Sequence, residues 1–168
     1  MTNLNNLLKL VNTIQSDSID NYIVDGLNSS LLENGVVRMF TTTHHQIDGI
    51  APHSHRYDFA CVVLQGKVTN HLWYAAQDGD DMQVMSLKYL GAPGKYSTTD
   101  LAVQKFARSS TVYEAGEIYM MERDQIHNIE FTKGTQVLFF EGPQKTETSL
   151  ALQPIVKDKE PKMFDTGD

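Results

Sequence analysis

Three histidines of the 168-residue chain stand where they would share one metal ion: His53 and His55 in "PHSHRYDFACVVLQG", and His127 in "YEAGEIYMMERDQIHNIEF". In an extended chain, side chains alternate faces, so His53 and His55 project to the same side, about 6.6 Å apart along the strand. Two such imidazoles are either half of a metal site or a pair of solvated histidines at the mouth of a strand. The third histidine bears on that choice. A metal inside a β-barrel takes two ligands from one strand and one from a partner strand, all aimed at the interior. The residues after His127 keep the pattern: His127, Ile129 and Phe131 share an inner face, and Asn128, Glu130 and Thr132 an outer one.

Such a site needs strands to carry it. From about residue 36 the chain runs in short stretches rich in Val, Ile, Phe, Tyr and Thr, separated by "DGI", "QDGDD", "GAPGK" and "TKG". These give candidate strands at 36–43, 57–64, 67–75, 82–90, 101–107, 110–114, 117–122, 126–131 and 135–141. No helices intervene, which favours an all-β, antiparallel jelly roll over a parallel layout. Ahead of it, Leu4, Leu7, Leu8 and Val11 form the apolar stripe of a short N-terminal helix over about 3–14. The last part, 142–168, is mixed and charged, with Pro154 and Pro161 interrupting any regular element, and is expected to wrap the surface or hang loose.

Bulk properties narrow the partners. At 18.9 kDa the chain fits a single domain over 1–168, with the barrel at about 36–141. Its one cysteine, Cys61, forms no intrachain disulfide, and the N-terminus has no signal-peptide pattern, so a cytoplasmic setting is expected. A net charge of -7 argues against nucleic acid or an anionic membrane, and no apolar stretch approaches the length of a membrane span. Small molecules and proteins remain.

The two histidine stretches resemble the two motifs of the cupin superfamily. The first reads G-x5-H-x-H, three or four residues, E, six residues, G; here His53, His55 and Gly66 keep the spacing, while Ile47 stands at the opening glycine. The second reads G-x5-P-x-G-x2-H-x3-N; Gly116 and His127 match, and Glu122, Asp124 and Phe131 replace its Pro, inner Gly and Asn. The resemblance covers about residues 47–131 and implies a double-stranded β-helix with one divalent metal ion on His53, His55 and His127. The glutamate ligand of the family falls on Phe59, which cannot bind metal. Asp58 is adjacent, yet strand parity turns it away unless a bulge shifts the register. Three-histidine sites of this kind resemble those of thiol dioxygenases and of diketone- or gentisate-cleaving dioxygenases, which use Fe(II). The order of parts is similar to cysteine dioxygenase, but Phe139 and Glu141 stand where its last strand carries a His and a Tyr, and its crosslinking cysteine would fall near Phe59, not at Cys61.

Three neutral donors leave the charge of an ion uncompensated, so an anionic substrate such as a thiolate, enolate or carboxylate would offset it. Arg38 and Arg56 are the candidate cations for a substrate carboxylate, against the alternative of ordinary surface arginines. Tyr57 shares the inward parity of the histidines and would donate a hydrogen bond, or else simply fill core. His71 and Trp73 share a face and are candidates for the cavity mouth; at most one of His44 and His45 points toward the site. Cys61 reads as a small buried hydrophobe, and Met82, Met85, Met120 and Met121 as a core or interface cluster. The leading function is a mononuclear Fe(II) dioxygenase acting on a small anionic molecule. The alternative is a cupin that holds Zn, Ni or Mn and serves as an isomerase, sensor or small-molecule binder. Exposed strand edges suit a homodimer.

Overall fold

The computed structural model describes residues 2–13, 15–32, 37–43, 47–92 and 95–155. Among these residues, helix α1 (Thr2–Thr13) leads into ten strands: β1 (Gln15–Ile19), β2 (Leu27–Leu32), β3 (Val37–Thr42), β4 (Phe59–Gln65), β5 (Lys67–Tyr89), β6 (Tyr96–Glu114), β7 (Ile118–Met121), β8 (Ile126–Phe131), β9 (Gln136–Glu141) and β10 (Thr148–Pro154). Every strand pair is antiparallel. One sheet runs β1-β2-β3-β9-β4-β7, and the other β10-β5-β6 with β8 also on β5. This is the expected all-β jelly roll.

The alternation of apolar residues explains how the sheets pack. Phe59, Cys61 and Val63 of β4 and Val137 and Phe139 of β9 point inward and meet Val68 and Phe131 from the opposite sheet, all nearly or fully buried. The other face of the larger sheet carries Leu32, Val37, Met39, Leu64 and Leu138, and α1 covers it through Val11. Val11 is 3% exposed, so its burial contributes about 1.5–3 kcal/mol, which suffices to hold a twelve-residue helix that is marginal alone. Gly66 turns β4 into β5 at φ +76°, and a Cβ there would stand 2.3 Å from the Thr135 hydroxyl, so only glycine fits.

Several expectations need correction. Strands begin at Gln15 and continue to Pro154, beyond the expected limits of 36 and 141. The tail is not loose over its first part. Leu150 and Leu152 of β10 face a small outer core with Met82, Val84 and Phe106, while Ser149 and Ala151 face the barrel. Runs 67–75 and 82–90 are one strand, as are 101–107 and 110–114. The stretch between 75 and 82 is a bulge, where Phe106 pairs with both Ala75 and Asp80 and the backbone passes so close that Gly79 has no room for a Cβ. The methionines form no cluster: Met82 and Met121 are buried in different cores, and Met120 is 76% exposed on β7.

Candidate metal centre

His53 and His55 do not lie in a regular strand, contrary to expectation. They sit in the crossing segment before β4, which is pinned by backbone bonds. His53 N–H donates to the His127 carbonyl (2.8 Å), His127 N–H donates back to the His53 carbonyl (2.9 Å), and His55 N–H donates to the Arg123 carbonyl (3.0 Å). The same segment bridges to β10 at Ala151. His53 is thus paired directly opposite His127, on the same face, and His55 follows two residues on.

The three rings converge. Their centroids are 4.8 Å (His53 to His55), 5.4 Å (His53 to His127) and 5.2 Å (His55 to His127) apart. One nitrogen from each lies within 4.8 Å of the others, and the Nε2 atoms of His55 and His127 are 3.0 Å apart. Two bare lone pairs at that distance repel unless a proton or a cation stands between them. Two nitrogens bound at about 2.1 Å and at right angles to one ion are separated by about 3.0 Å.

Protonation states agree with a ligand role. Burial pushes the pKa of all three below the ordinary histidine value. His53 is lowered despite its bond to the Ala51 carbonyl, and His55 is lowered well below, with His53, His127 and Arg56 adding to burial. His127 falls to about 3, through burial and then His53. Neutral imidazoles keep a free lone pair. Two of the tautomers follow from acceptors that cannot donate: His53 Nδ1–H donates to the Ala51 carbonyl (2.8 Å), and His127 Nδ1–H donates to Asn70 Oδ1 (2.7 Å), leaving each Nε2 unprotonated. The residues present fit one divalent ion.

The neighbours of the triad follow the parity argument. Phe59 walls the site, its ring 4.5 Å from that of His55 and 5.5 Å from that of His127. Asp58 points away: Oδ1 accepts the Arg123 N–H (2.9 Å), Oδ2 pairs with Lys145, and these bonds hold its carboxyl below the usual range. Cys61 is buried, its thiol pushed up to about 12 by burial, and is no nucleophile at neutral pH.

A cavity of about 630 Å³ opens from the triad, and Tyr57, Arg38 and Arg56 all line it. The Tyr57 ring lies 5.6 Å from that of His55, and burial raises its phenol far above the ordinary value, so it remains a donor. Arg38 stacks over Tyr22 (5.7 Å) and reaches the Ser29 hydroxyl (3.4 Å); Arg56 stacks over Tyr89 (4.6 Å) and donates to Gln144 Oε1 (3.4 Å). Among the described residues neither guanidinium has an ion-pair partner.

Two candidates are displaced and two lie outside the described residues. His71 and Trp73 share a face, but it is the outer one: His71 bonds Ser110 Oγ (2.6 Å) and Glu130 Oε1 (2.8 Å), and Trp73 Nε1–H donates to Asn128 Oδ1 (2.6 Å). His44 and His45 fall outside the described residues. Sequence reasoning missed Asn70, Glu141 as a cavity residue, and the wall built by Tyr22, Tyr89 and Tyr96. Of these, Asn70 left a signal as an amide in the inward Val68, Asn70, Leu72 stripe, and Glu141 as the continuation of the inward Val137, Phe139 alternation; the tyrosines left none.

The sequence matches no protein-family model and no curated protein. Among solved structures it is similar to Drosophila melanogaster CENP-C bound to CAL1, at 11% identity over 84% of this chain and 94% of that one, with a TM-score of 0.46. It is also similar to the Drosophila melanogaster CENP-C cupin domain, at 10% identity over 77% and 74%, TM-score 0.43. Hydroquinone 1,2-dioxygenase from Sphingomonas sp. TTNP3 with 4-hydroxybenzoate bound matches at 14% identity over 65% and 60%, TM-score 0.34.

Proposed function

We propose that this protein is a metal-dependent dioxygenase of a small anionic molecule, with one Fe(II) held by His53, His55 and His127. The observation that carries the reading is the convergence of three imidazoles on a cavity that is also lined by Arg38 and Arg56, two guanidiniums without an ion-pair partner among the described residues. When bound, the ion would supply a Lewis-acidic, redox-active centre with coordination positions open to substrate and dioxygen.

The remaining work falls to the chain. Arg38 and Arg56 bind the anionic group of the substrate, and a planar guanidinium suits a carboxylate through two parallel bonds. Stacking on Tyr22 and Tyr89 holds each guanidinium in place before a ligand arrives. Tyr57, kept protonated, donates a hydrogen bond to a substrate oxygen beside the triad. Phe59 and Phe139, with ring centroids 4.8 Å apart, exclude water from that side.

The test is oxygen uptake by Fe(II)-loaded protein across thiols, diketones and hydroxybenzoates, with product analysis. Uptake with one class, abolished by His127→Ala, is expected. No uptake with any of them, from protein that retains stoichiometric metal, replaces the enzyme with a metal-dependent binder.

A further inference from the structure

Asn70 is an anomaly in its strand. It lies on β5 where that strand pairs with both β6 (at Thr111) and β8 (at Ile129), so it occupies the interior of a sheet. Its inward neighbours are Val68, fully buried, and Leu72, packed on the main core, while Asn70 itself is 7% exposed. Asparagine is disfavoured in strands, and burying its amide costs several kcal/mol unless both ends are bonded. Both ends are. Oδ1 accepts Nδ1–H of His127 at 2.7 Å, and Nδ2 donates to the thioether sulfur of Met121 at 3.5 Å.

The pairing has a direction. A thioether only accepts, so it selects the NH2 end of the amide and leaves the carbonyl end for the histidine. A carbonyl also only accepts, so His127 must carry its proton on Nδ1 and present a bare Nε2 to the site. If the amide were reversed, its NH2 would demand a bare Nδ1 and drive the proton onto Nε2, where it would block a ligand. Met121 sits on β7 and His127 on β8, so the sulfur, the amide and the imidazole form a chain that crosses between the sheets.

We propose that Asn70 and Met121 are a positioning pair that fixes the tautomer of His127, with the thioether choosing the orientation of the amide and the amide choosing the ring nitrogen offered to the metal. The proposal rests on the metal-site reading above and adds residues that no ligand motif contains. Neither Asn70 nor Met121 touches the ion; each acts through His127.

Two readouts test it, with Zn(II) as the probe. The first is the tautomer of His127 in metal-free protein, read from the nitrogen shifts of its ring by NMR. Wild type is expected with its proton on Nδ1, and Met121→Leu with a mixture, because the amide is then free to turn. The second is Zn(II) affinity by competition with a chromophoric chelator. Asn70→Leu is expected to weaken binding about 10–100-fold, the usual effect of losing the partner of a ligating histidine. Asn70→Asp retains an acceptor and is expected to bind at least as tightly as wild type, a rescue that a purely structural role would not give. Should Asn70→Leu fail to fold, Asn70→Asp, Met121→Leu and the wild-type spectrum carry the test. The pair is overturned by a wild-type His127 protonated on Nε2, by wild-type affinity in Asn70→Leu, or by a loss in Asn70→Asp as large as that from removing the acceptor. A wild type that binds no Zn(II) while showing the Nδ1 tautomer removes the site reading itself, a result distinct from all of these.

Discussion

Acidifying the metal-free protein is expected to destabilise it over a range that His127 defines. The residue is 2% exposed, and its pKa falls to about 3, whereas in the unfolded chain it is about 6.5. A base with a depressed folded-state pKa binds fewer protons folded than unfolded between those two values. Its contribution is therefore intact above about pH 6.5 and is lost as pH falls toward about 3. Going from about pH 7.5 to about pH 5 costs about 2 kcal/mol from His127 alone, a large share of the roughly 5–15 kcal/mol typical of a domain. His53 and His55 shift in the same direction and add to the loss. The assay is urea unfolding of chelator-treated wild type and His127→Gln at both pH values. Glutamine fills much of the same space and cannot titrate, so wild type should lose about 2 kcal/mol more than the variant. Equal losses would refute a buried, neutral His127.

Three further outcomes are expected. His127→Ala should abolish metal retention through gel filtration, whereas Asp58→Asn should leave the metal-to-protein ratio nearly unchanged; equal release from both would show that Asp58 is a ligand and that the parity argument fails. Arg38→Met or Arg56→Met should raise KM for an anionic substrate by about tenfold, the scale of a charge-assisted hydrogen bond, and no change in either would remove the guanidiniums from the ligand. No strand lies beyond β6 among the described residues, and long uncovered edges attract partners, so light scattering at micromolar concentration should give the mass of a dimer. A monomer there would end that expectation.

The triad was legible because its information is local and periodic. His127, Ile129 and Phe131 alternate inward as the sequence implies, and the parity that turns Asp58 away and brings Phe59 to the site also holds. The His53 and His55 pair reaches the site by a different route. Spacing alone suggested a strand, but cross-chain bonds to His127, Arg123 and Leu150 shape that segment, and such bonds leave no mark on neighbouring residues. Strands β1 and β2 escaped notice because "SDSI" and "NSSLL" lack an apolar alternation: Ser29 and Ser30 are buried as hydroxyls, not as hydrophobes. β10 was hidden by its setting among charges and prolines. Its inward positions are the small Ser149 and Ala151, which border the cavity and give little hydrophobic signal. His71 and Trp73 were placed on one face correctly, but parity cannot say which face is the inside. Asn70 settles it, since it directly precedes His71, projects to the opposite face and bonds His127.

Charge is what most restricts the occupant of this cavity. The chain as a whole is acidic at -7, with 21 carboxylates against 14 lysines and arginines, yet the cavity inverts that balance. Arg38 and Arg56 line it, and Glu141 is the one carboxylate among its lining residues. The position that would have supplied a ligating carboxylate is Phe59, 4% exposed and packed against Phe139. Neutral imidazoles offset none of the charge of a divalent ion, and the nearby guanidiniums add to it in a setting of low dielectric, where like charges are costly. On the proposed reading, Glu141 would offset one of these positive charges at most, and the rest of the balancing charge would come from the ligand. An anion would supply it, whereas a neutral molecule would leave the cation charge uncompensated, and a cationic one would raise it further.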